Sequence, residues 1–191
     1  PGDAVQRLLV SAIEHPSALS GGRFPAEVIG TIKVTSAGLV DLDHVRQLRA
    51  DGPPALVSVM LANNETGAVQ PVGEVGDIVH QAGGLLHVDA IQALGKIPFD
   101  IKSVRADLLT LSAHKIGGPK GVGALVLAED VQGLEPQLRG GGQELGRRAG
   151  TENVAGIAAF GAAARAAMAA LPADAERMLG LRNRLETGLQ Q

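Results

Sequence analysis

Short apolar runs of strand length recur along this chain, and each ends in polar or turn-forming residues. The run at 55–61 is almost continuously apolar, which is typical of a strand buried on both faces of a parallel sheet. Similar runs lie at 7–13, 85–88, 107–111 and 123–127, and a looser region rich in β-branched residues spans 23–40. The pattern predicts several buried strands rather than a helical bundle.

Helical patterns separate these runs. Asp41 is a suitable N-cap for a helix over about 42–50, and Pro71 is suited to the first turn of a helix over about 71–82. Near the C-terminus, Thr151 or Asn153 can cap an alanine-rich helix that ends near Leu171, and a second amphipathic helix is predicted to start at Pro172. The alternation predicts an α/β fold with three layers, in which helices cover both faces of a mostly parallel sheet.

Composition excludes several functions. The net charge is −3 and no basic block occurs, so the electrostatic signature of nucleic-acid binding is missing. The sequence shows no apolar run of transmembrane length and no signal peptide, and we therefore expect a cytoplasmic protein without membrane contact. The absence of cysteine excludes disulfides, thiolate metal sites and a cysteine nucleophile within this chain. A start at Pro1 and a stop inside a predicted helix suggest a fragment of a longer protein.

Polar residues cluster where the predicted strands end. The residues in question are His15, Asn64, Asp89, Gln92, Ser112, His114 and Lys115. The carboxyl ends of parallel strands share one edge of the sheet, where ligands bind, and we expect these side chains to converge there. Each also has an ordinary explanation, as a turn residue, a helix cap or a surface lysine. Taken together, the set is harder to explain in that way.

This set can satisfy the needs of a pyridoxal phosphate site. A lysine whose amine is desolvated at the edge of an apolar sheet can form a Schiff base with an aldehyde. A carboxylate such as Asp89 can keep the pyridine nitrogen protonated, so that the ring acts as an electron sink. An aromatic face over the ring, donors for its phenolate oxygen and donors for its phosphate can come from the remaining members.

A metal site is the main competing chemistry at these positions. Its ligands would be His15, His87, Asp89 and His114, but no helical His-x-x-x-His pair occurs and cysteine is absent. His87 is instead expected to be packed, and His44 and His80 are expected to be exposed on helices. No glycine-rich nucleotide motif appears between a strand and a helix.

The order of the motifs resembles that of cysteine desulfurases, pyridoxal phosphate enzymes of the class V aminotransferase family. The resemblance covers essentially the whole chain. Its motifs are Ile13-Glu14-His15, Asn63-Asn64-Glu65-Thr66-Gly67, His87-Val88-Asp89-Ala90-Ile91-Gln92, Ser112-Ala113-His114-Lys115, Gly140-Gly141-Gly142-Gln143-Glu144 and Ala149-Gly150-Thr151-Glu152-Asn153. The resemblance implies that residues 1–191 form part of the large domain of an aspartate-aminotransferase-like transferase, with its C-terminal helices at about 153–191.

The resemblance also implies a role for each matching residue. Lys115 would be the catalytic Schiff-base lysine, and His15 the catalytic residue stacked on the cofactor ring. The remaining contacts with pyridoxal phosphate would be those of Asp89 to the pyridine nitrogen, Gln92 to the phenolate oxygen, Ser112 and His114 to the phosphate, and Asn64 to cofactor and substrate. Thr151 would reach the phosphate bound by a neighbouring subunit, which implies a homodimer with the Arg147-Arg148 loop at its interface.

The family's reaction converts L-cysteine to L-alanine and hands the sulfur to an acceptor, such as an iron–sulfur scaffold protein. It needs a cysteine on a mobile loop and an arginine for the substrate carboxylate, and both are expected beyond Gln191. The phosphate-binding glycine–threonine loop is expected before Pro1. A selenocysteine lyase, another class V aminotransferase or a non-catalytic module on the same fold are the alternatives, and the isolated fragment is expected to be inactive.

Overall fold

A computed structural model of the chain describes residues 5–50, 52–129, 131 and 134–190, so both ends of the predicted 1–191 domain lie outside the described residues. A six-stranded sheet forms its centre, with the strand order β2-β1-β3-β4-β5-β6. The strands are β1 (Arg7–Ser11), β2 (Ile29–Ile32), β3 (Ala55–Met60), β4 (Leu85–Asp89), β5 (Leu108–Ser112) and β6 (Gly123–Leu127). All neighbouring pairs are parallel except β5 and β6, which confirms the mostly parallel sheet.

The helices are α1 (Pro16–Leu19), α2 (Leu42–Ala50), α3 (Val72–Gln81) and α4 (Val154–Leu189). Helices α2 and α3 pack on each other and on one face of the sheet. Fully buried valines and leucines such as Val57, Val75 and Leu86 form the core there. On the opposite face, α1 packs against β1. Both α2 and α3 agree with the sequence prediction within a residue.

The strand region predicted at 23–40 is mostly not a strand. Only Ile29–Ile32 pairs with β1, and a 3₁₀ turn at Ala26–Val28 precedes it. Beyond Ile32 the chain makes only an isolated antiparallel bridge between Val34 and Val40. Thr35, Ser36 and Gly38, which favour turns, interrupt the β-branched pattern there.

The C-terminal prediction of two helices is wrong. Residues Val154–Leu189 form one helix with Pro172 inside it. Pro172 is exposed, so the carbonyl group that it leaves without a helical hydrogen bond can be hydrated, and the alanines on both sides strongly favour helix. Met178, Leu181 and Leu185, which lie in the part of the helix after Pro172, are 38%, 50% and 63% exposed.

The sequence predicted no apolar run of transmembrane length, but helix α4 is long and apolar enough to be one. By length and composition it could cross a membrane, although only 11% of its most apolar window is buried in the protein. Alanine accounts for much of this hydropathy, and Arg165 interrupts the window. A single helix of this kind is weak evidence for a membrane span.

Two histidines predicted to be exposed are half-buried. Nδ1 of His44 accepts a hydrogen bond from the backbone N–H of Lys33 at 3.1 Å. Nε2 of His80 lies 2.9 Å from Oδ2 of Asp107, and the same oxygen accepts from the backbone N–H of Leu86 at 2.6 Å. Periodicity alone identified their helices but not these long-range partners.

Candidate active site

The register of the sheet brings the predicted strand ends together. Met60 at the end of β3 lies opposite Asp89 at the end of β4, and Asp89 lies opposite Thr110 in β5. Because β1, β3, β4 and β5 are parallel, their carboxyl ends share one edge. The turns that carry His15, Asn64, Gln92 and Lys115 all leave the sheet at this edge, as the sequence predicted.

Asp89 is the buried acid of this edge. It is 7% exposed, and its Oδ1 accepts a hydrogen bond from the backbone N–H of Ile91 at 2.9 Å. It lines a cavity of about 360 Å³ on the face of the sheet that carries α1. The other walls of this cavity include Ser58, His87, Thr110, Ser17, Ala18 and Arg23.

His87 forms part of the cavity floor and is packed, as expected. Its Nδ1 lies 2.9 Å from Oγ of Ser58, and its Nε2 lies 3.2 Å from Oγ1 of Thr110. Burial lowers the pKa of His87, and the negative charge of Asp89 opposes that shift only in part. A neutral ring held between two hydroxyl groups gives the cavity a polar floor beside Asp89.

Lys115 lies on the 3₁₀ turn Ala113–Ile116 that follows β5, which we call the Lys115 turn. Gly117 ends the turn with a φ of 79°, and the N–H of Gly118 donates to the carbonyl of Ala113 at 2.9 Å. A Cβ atom at Gly118 would lie 2.9 Å from the same carbonyl oxygen, so only glycine fits without a shift. The two glycines therefore fix where the lysine leaves the sheet.

In the described part of the chain, the Lys115 side chain is not desolvated. Lys115 and His114 are both exposed, because the edge of the sheet is open at this turn. Ser112 Oγ lies 2.7 Å from Nδ1 of His114, and this contact orients the two groups predicted to bind phosphate.

Sequence reasoning missed Lys96. Its Nζ donates to the backbone carbonyl of Lys115 at 3.4 Å. Burial lowers the pKa of Lys96, and the nearby positive charge of Lys115 lowers it further. A second amine therefore lies beside the Lys115 turn. Its position just after Gly95 gave no periodic or motif signal.

His15 caps α1 through its side chain. Nδ1 accepts from the backbone N–H of Ser17 at 3.2 Å and lies 2.8 Å from Oγ of the same serine. With Nδ1 as acceptor, the neutral ring carries its proton on Nε2. The ring is exposed and available for stacking.

The exposed Asn64 belongs to a loop organised by its neighbour. Oδ1 of Asn63 accepts from the backbone N–H groups of Glu65 and Thr66 at 2.9 and 2.8 Å. Nδ2 of Asn63 donates to the carbonyl of Ile13 at 3.0 Å, which ties this loop to the end of β1. Asn64 itself donates to Oε1 of Glu65 at 2.7 Å.

Glu14 is the second residue that sequence reasoning missed. It is 5% exposed, and its Oε1 accepts a hydrogen bond from the backbone N–H of Met60 at 2.6 Å. Burial raises the pKa of Glu14 to about 7, repulsion from Asp89 adds to this shift, and the bond from Met60 opposes it. The sequence did offer one signal for its burial, because this acidic residue directly follows the apolar run at 7–13.

Gln92 and Thr151 lie in different parts of the structure. Gln92 is half-buried in the turn after Asp89. Thr151 is exposed and lines a separate cavity of about 930 Å³, together with Arg147, Arg148 and residues of β6 and α4. It is not among the residues that line the Asp89 cavity. Among the described residues, no three His, Cys, Asp or Glu side chains are grouped so as to hold a metal ion.

Comparison with known proteins gives the family. The Aminotransferase class-V profile matches residues 3–191. The chain belongs to the class V aminotransferase family. A cysteine desulfurase of Gluconacetobacter diazotrophicus is 45% identical over 187 residues, which are 95% of this chain and 46% of that protein. The chain thus spans about half the length of the curated relatives that it matches.

Solved structures agree with this assignment. The X-ray structure of a NifS-like protein from Rickettsia africae superposes with a TM-score of 0.92 at 38% identity, over 97% of this chain and 51% of that one. A structure described as SspA in complex with cysteine has a TM-score of 0.73 at 33% identity, over 84% and 47% of the two chains. The resemblance predicted from the spaced motifs is confirmed at the level of family and fold.

Class V aminotransferases use pyridoxal phosphate in general, and the residues of this edge fit that group. A buried carboxylate with a polar floor, an exposed imidazole and an amine on a glycine-fixed turn are the donor types that its ring nitrogen, ring face and aldehyde require. The buried Asp89 is the more informative feature. A carboxylate seldom occupies a buried sheet edge unless it serves a cationic partner.

Proposed function

We propose that this chain is the pyridoxal phosphate-binding part of a cysteine desulfurase, which converts L-cysteine to L-alanine and passes the sulfur on as a persulfide. The observation that carries the proposal is the placement of buried Asp89 and the Lys115 turn at the ends of adjacent strands of one sheet edge. The names of the relatives and the cysteine bound to SspA favour cysteine over the alternative substrates.

Each residue of this edge has a part in the proposed mechanism. Bound pyridoxal phosphate supplies an electron sink for the substrate carbons. Lys115 would hold the cofactor aldehyde through its amine, and the same amine would be the group that moves protons at the substrate carbons. Asp89, whose Oδ1 accepts from the N–H of Ile91, would keep the pyridine nitrogen protonated.

The remaining residues position the cofactor. His15 would stack its exposed ring on the cofactor. Gln92 would contact the phenolate oxygen, and Asn64 would contact cofactor and substrate. Ser112 and His114 would hold the phosphate, and the contact between them already orients both groups. The chain contains no cysteine, so the sulfur-accepting thiol must come from outside it. The family resemblance leads us to expect the arginine for the substrate carboxylate outside it as well.

We further propose a cytoplasmic homodimer that binds neither nucleic acid nor membrane and that donates sulfur to an acceptor such as an iron–sulfur scaffold protein. Thr151, Arg147 and Arg148 line a cavity separate from that of Asp89. This supports a role for Thr151 at the phosphate of a neighbouring subunit. Apolar side chains exposed along α4 provide further surface for such contacts.

Absorption spectroscopy tests the cofactor assignment. We expect pyridoxal phosphate to give a new visible band with the wild-type chain and with Lys120→Ala, a control for an exposed lysine in the adjacent loop. The band should be lost in Lys115→Ala. An equal band in Lys115→Ala would refute the assignment of the lysine. In the full-length protein, L-cysteine should be converted to L-alanine, and the absence of this conversion would refute the substrate.

A further inference from the structure

Glu14 is a buried acid whose place in the site is not accounted for by cofactor contacts. It lies between β1 and α1, directly before His15, and is 5% exposed. Acidic side chains are rarely buried to this extent unless they have partners.

Oε1 of Glu14 replaces a missing strand partner. The ladder between β1 and β3 stops at the pair Val10 and Ser58, because the chain turns away after Ser11. The N–H of Leu61 donates to the carbonyl of Asp89 on the β4 side. The N–H of Met60 points to the β1 side, where it donates to Oε1 of Glu14 at 2.6 Å. The side chain of Glu14 thus accepts the next hydrogen bond from β3, in place of a backbone carbonyl of β1.

A second hydrogen bond, besides the one from Met60 to Glu14, holds the turn that carries His15. Nδ2 of Asn63 donates to the carbonyl of Ile13 at 3.0 Å. Together, the two hydrogen bonds tie the turn that carries His15 to the end of β3 and to the loop that carries Asn64. Met60 lies opposite Asp89 in the sheet, so the bond from Met60 to Glu14 is made next to the buried carboxylate.

The second oxygen of Glu14 makes the connection sensitive to charge. Oε2 is buried, and among the described residues it has no hydrogen-bond partner. A proton on Oε2 leaves the bond from Met60 to Oε1 intact. Loss of that proton would leave a buried charge whose donor is the N–H of Met60 and would place it near the negative charge of Asp89.

We propose that Glu14 is a positioning residue that holds the His15 turn against the end of β3 beside Asp89, and that loss of its proton loosens this connection. Burial supports the second part, because it raises the pKa of Glu14 to about 7. The titratable and charged groups nearby are Asp89 and His87 on β4, His15 in the same turn, and Arg23 at the Asp89 cavity. The consequence for cofactor binding rests on the proposed function.

Nuclear magnetic resonance of the chain without cofactor tests the connection itself. The backbone N–H signal of Met60 should shift with pH with a midpoint near 7, and the shift should vanish in Glu14→Gln, where an amide oxygen can still accept the bond. Glu176→Gln, at an exposed position on α4, should titrate like the wild type. Hydrogen exchange at Met60 should accelerate in Glu14→Ala, at least tenfold, and should stay near the wild-type rate in Glu14→Gln.

A cofactor titration separates this inference from the proposed function. The affinity of the wild type for pyridoxal phosphate should fall as the pH rises through 7, relative to Glu14→Gln measured at the same pH. A Met60 signal that titrates equally in wild type and Glu14→Gln, or unchanged exchange in Glu14→Ala, would overturn the positioning role. A normal Met60 titration without any cofactor binding would instead refute the proposed function and leave the connection standing.

Discussion

Replacement of Glu14 by glutamine should change how the stability of the fold depends on pH. The folded state raises the pKa of this carboxyl group from 4.5 to about 7, mainly by burial. From about pH 4.5 upward the unfolded chain therefore loses a proton that the folded chain retains. The stability that this proton contributes is fully present below the unfolded pKa and is lost as the pH rises through the folded pKa.

The size of the effect follows from the shift. One pKa unit corresponds to about 1.4 kcal/mol, so the difference between 4.5 and about 7 amounts to roughly 3 kcal/mol. Most of it should be lost between about pH 5 and pH 8. Because the side chain is only 5% exposed, screening by solvent should reduce this amount little.

Urea unfolding at a series of pH values measures this effect. The free energy of unfolding of the wild type, minus that of Glu14→Gln, should fall by roughly 2 to 3 kcal/mol between about pH 5 and pH 8. Burial lowers the pKa of His87, so His87 contributes a pH dependence of stability of the opposite sign. The subtraction removes this contribution. Glu176→Gln should give a difference that is flat with pH. Parallel curves for the wild type and Glu14→Gln would refute the buried, proton-retaining carboxyl group.

Three further predictions concern the scaffold. Gly118→Ala should destabilise the Lys115 turn by about 1–3 kcal/mol in urea unfolding, because its Cβ would lie 2.9 Å from a carbonyl oxygen; unchanged stability would refute the tight closure. Asp107→Ala should cost about 1–3 kcal/mol, since the N–H of Leu86 loses its acceptor, and a loss equal to that of Asp43→Ala, at a side chain that is 92% exposed, would contradict this. Pro172→Ala should raise the helix signal in circular dichroism and protect the amides that follow from exchange, whereas a lower helix signal would mean that the proline does not interrupt the hydrogen bonds of α4.

Much of the fold could be predicted from the sequence because its signals are local. Apolar runs and helical periodicity identified β3, β4, β5 and both helices of the packed face. Pro172 was misleading, because a proline normally ends a helix and only the exposure of its position shows why α4 continues. The region 23–40 was misread because β-branched residues favour strands regardless of whether a neighbouring strand is available.

The site could be predicted only where residues follow strands directly. The ends of parallel strands meet, so His15, Asp89 and Lys115 could be assigned to one edge before the structure was known. Lys96 and Glu14 could not, because their importance depends on partners distant in the sequence: the carbonyl of Lys115 and the N–H of Met60. The exposure of Lys115 likewise depends on what surrounds the edge rather than on its own segment.

The central claim is that Lys115 holds the cofactor at this edge. Borohydride reduction after incubation with pyridoxal phosphate, followed by peptide mass spectrometry, tests it most directly, because reduction fixes the cofactor to the amine that carried it. We predict a pyridoxyl group on Lys115 in the wild type and in Lys96→Ala, and its loss at that peptide in Lys115→Ala. A pyridoxyl group found mainly on Lys96 or Lys120, or no fixed cofactor at all, would contradict the claim.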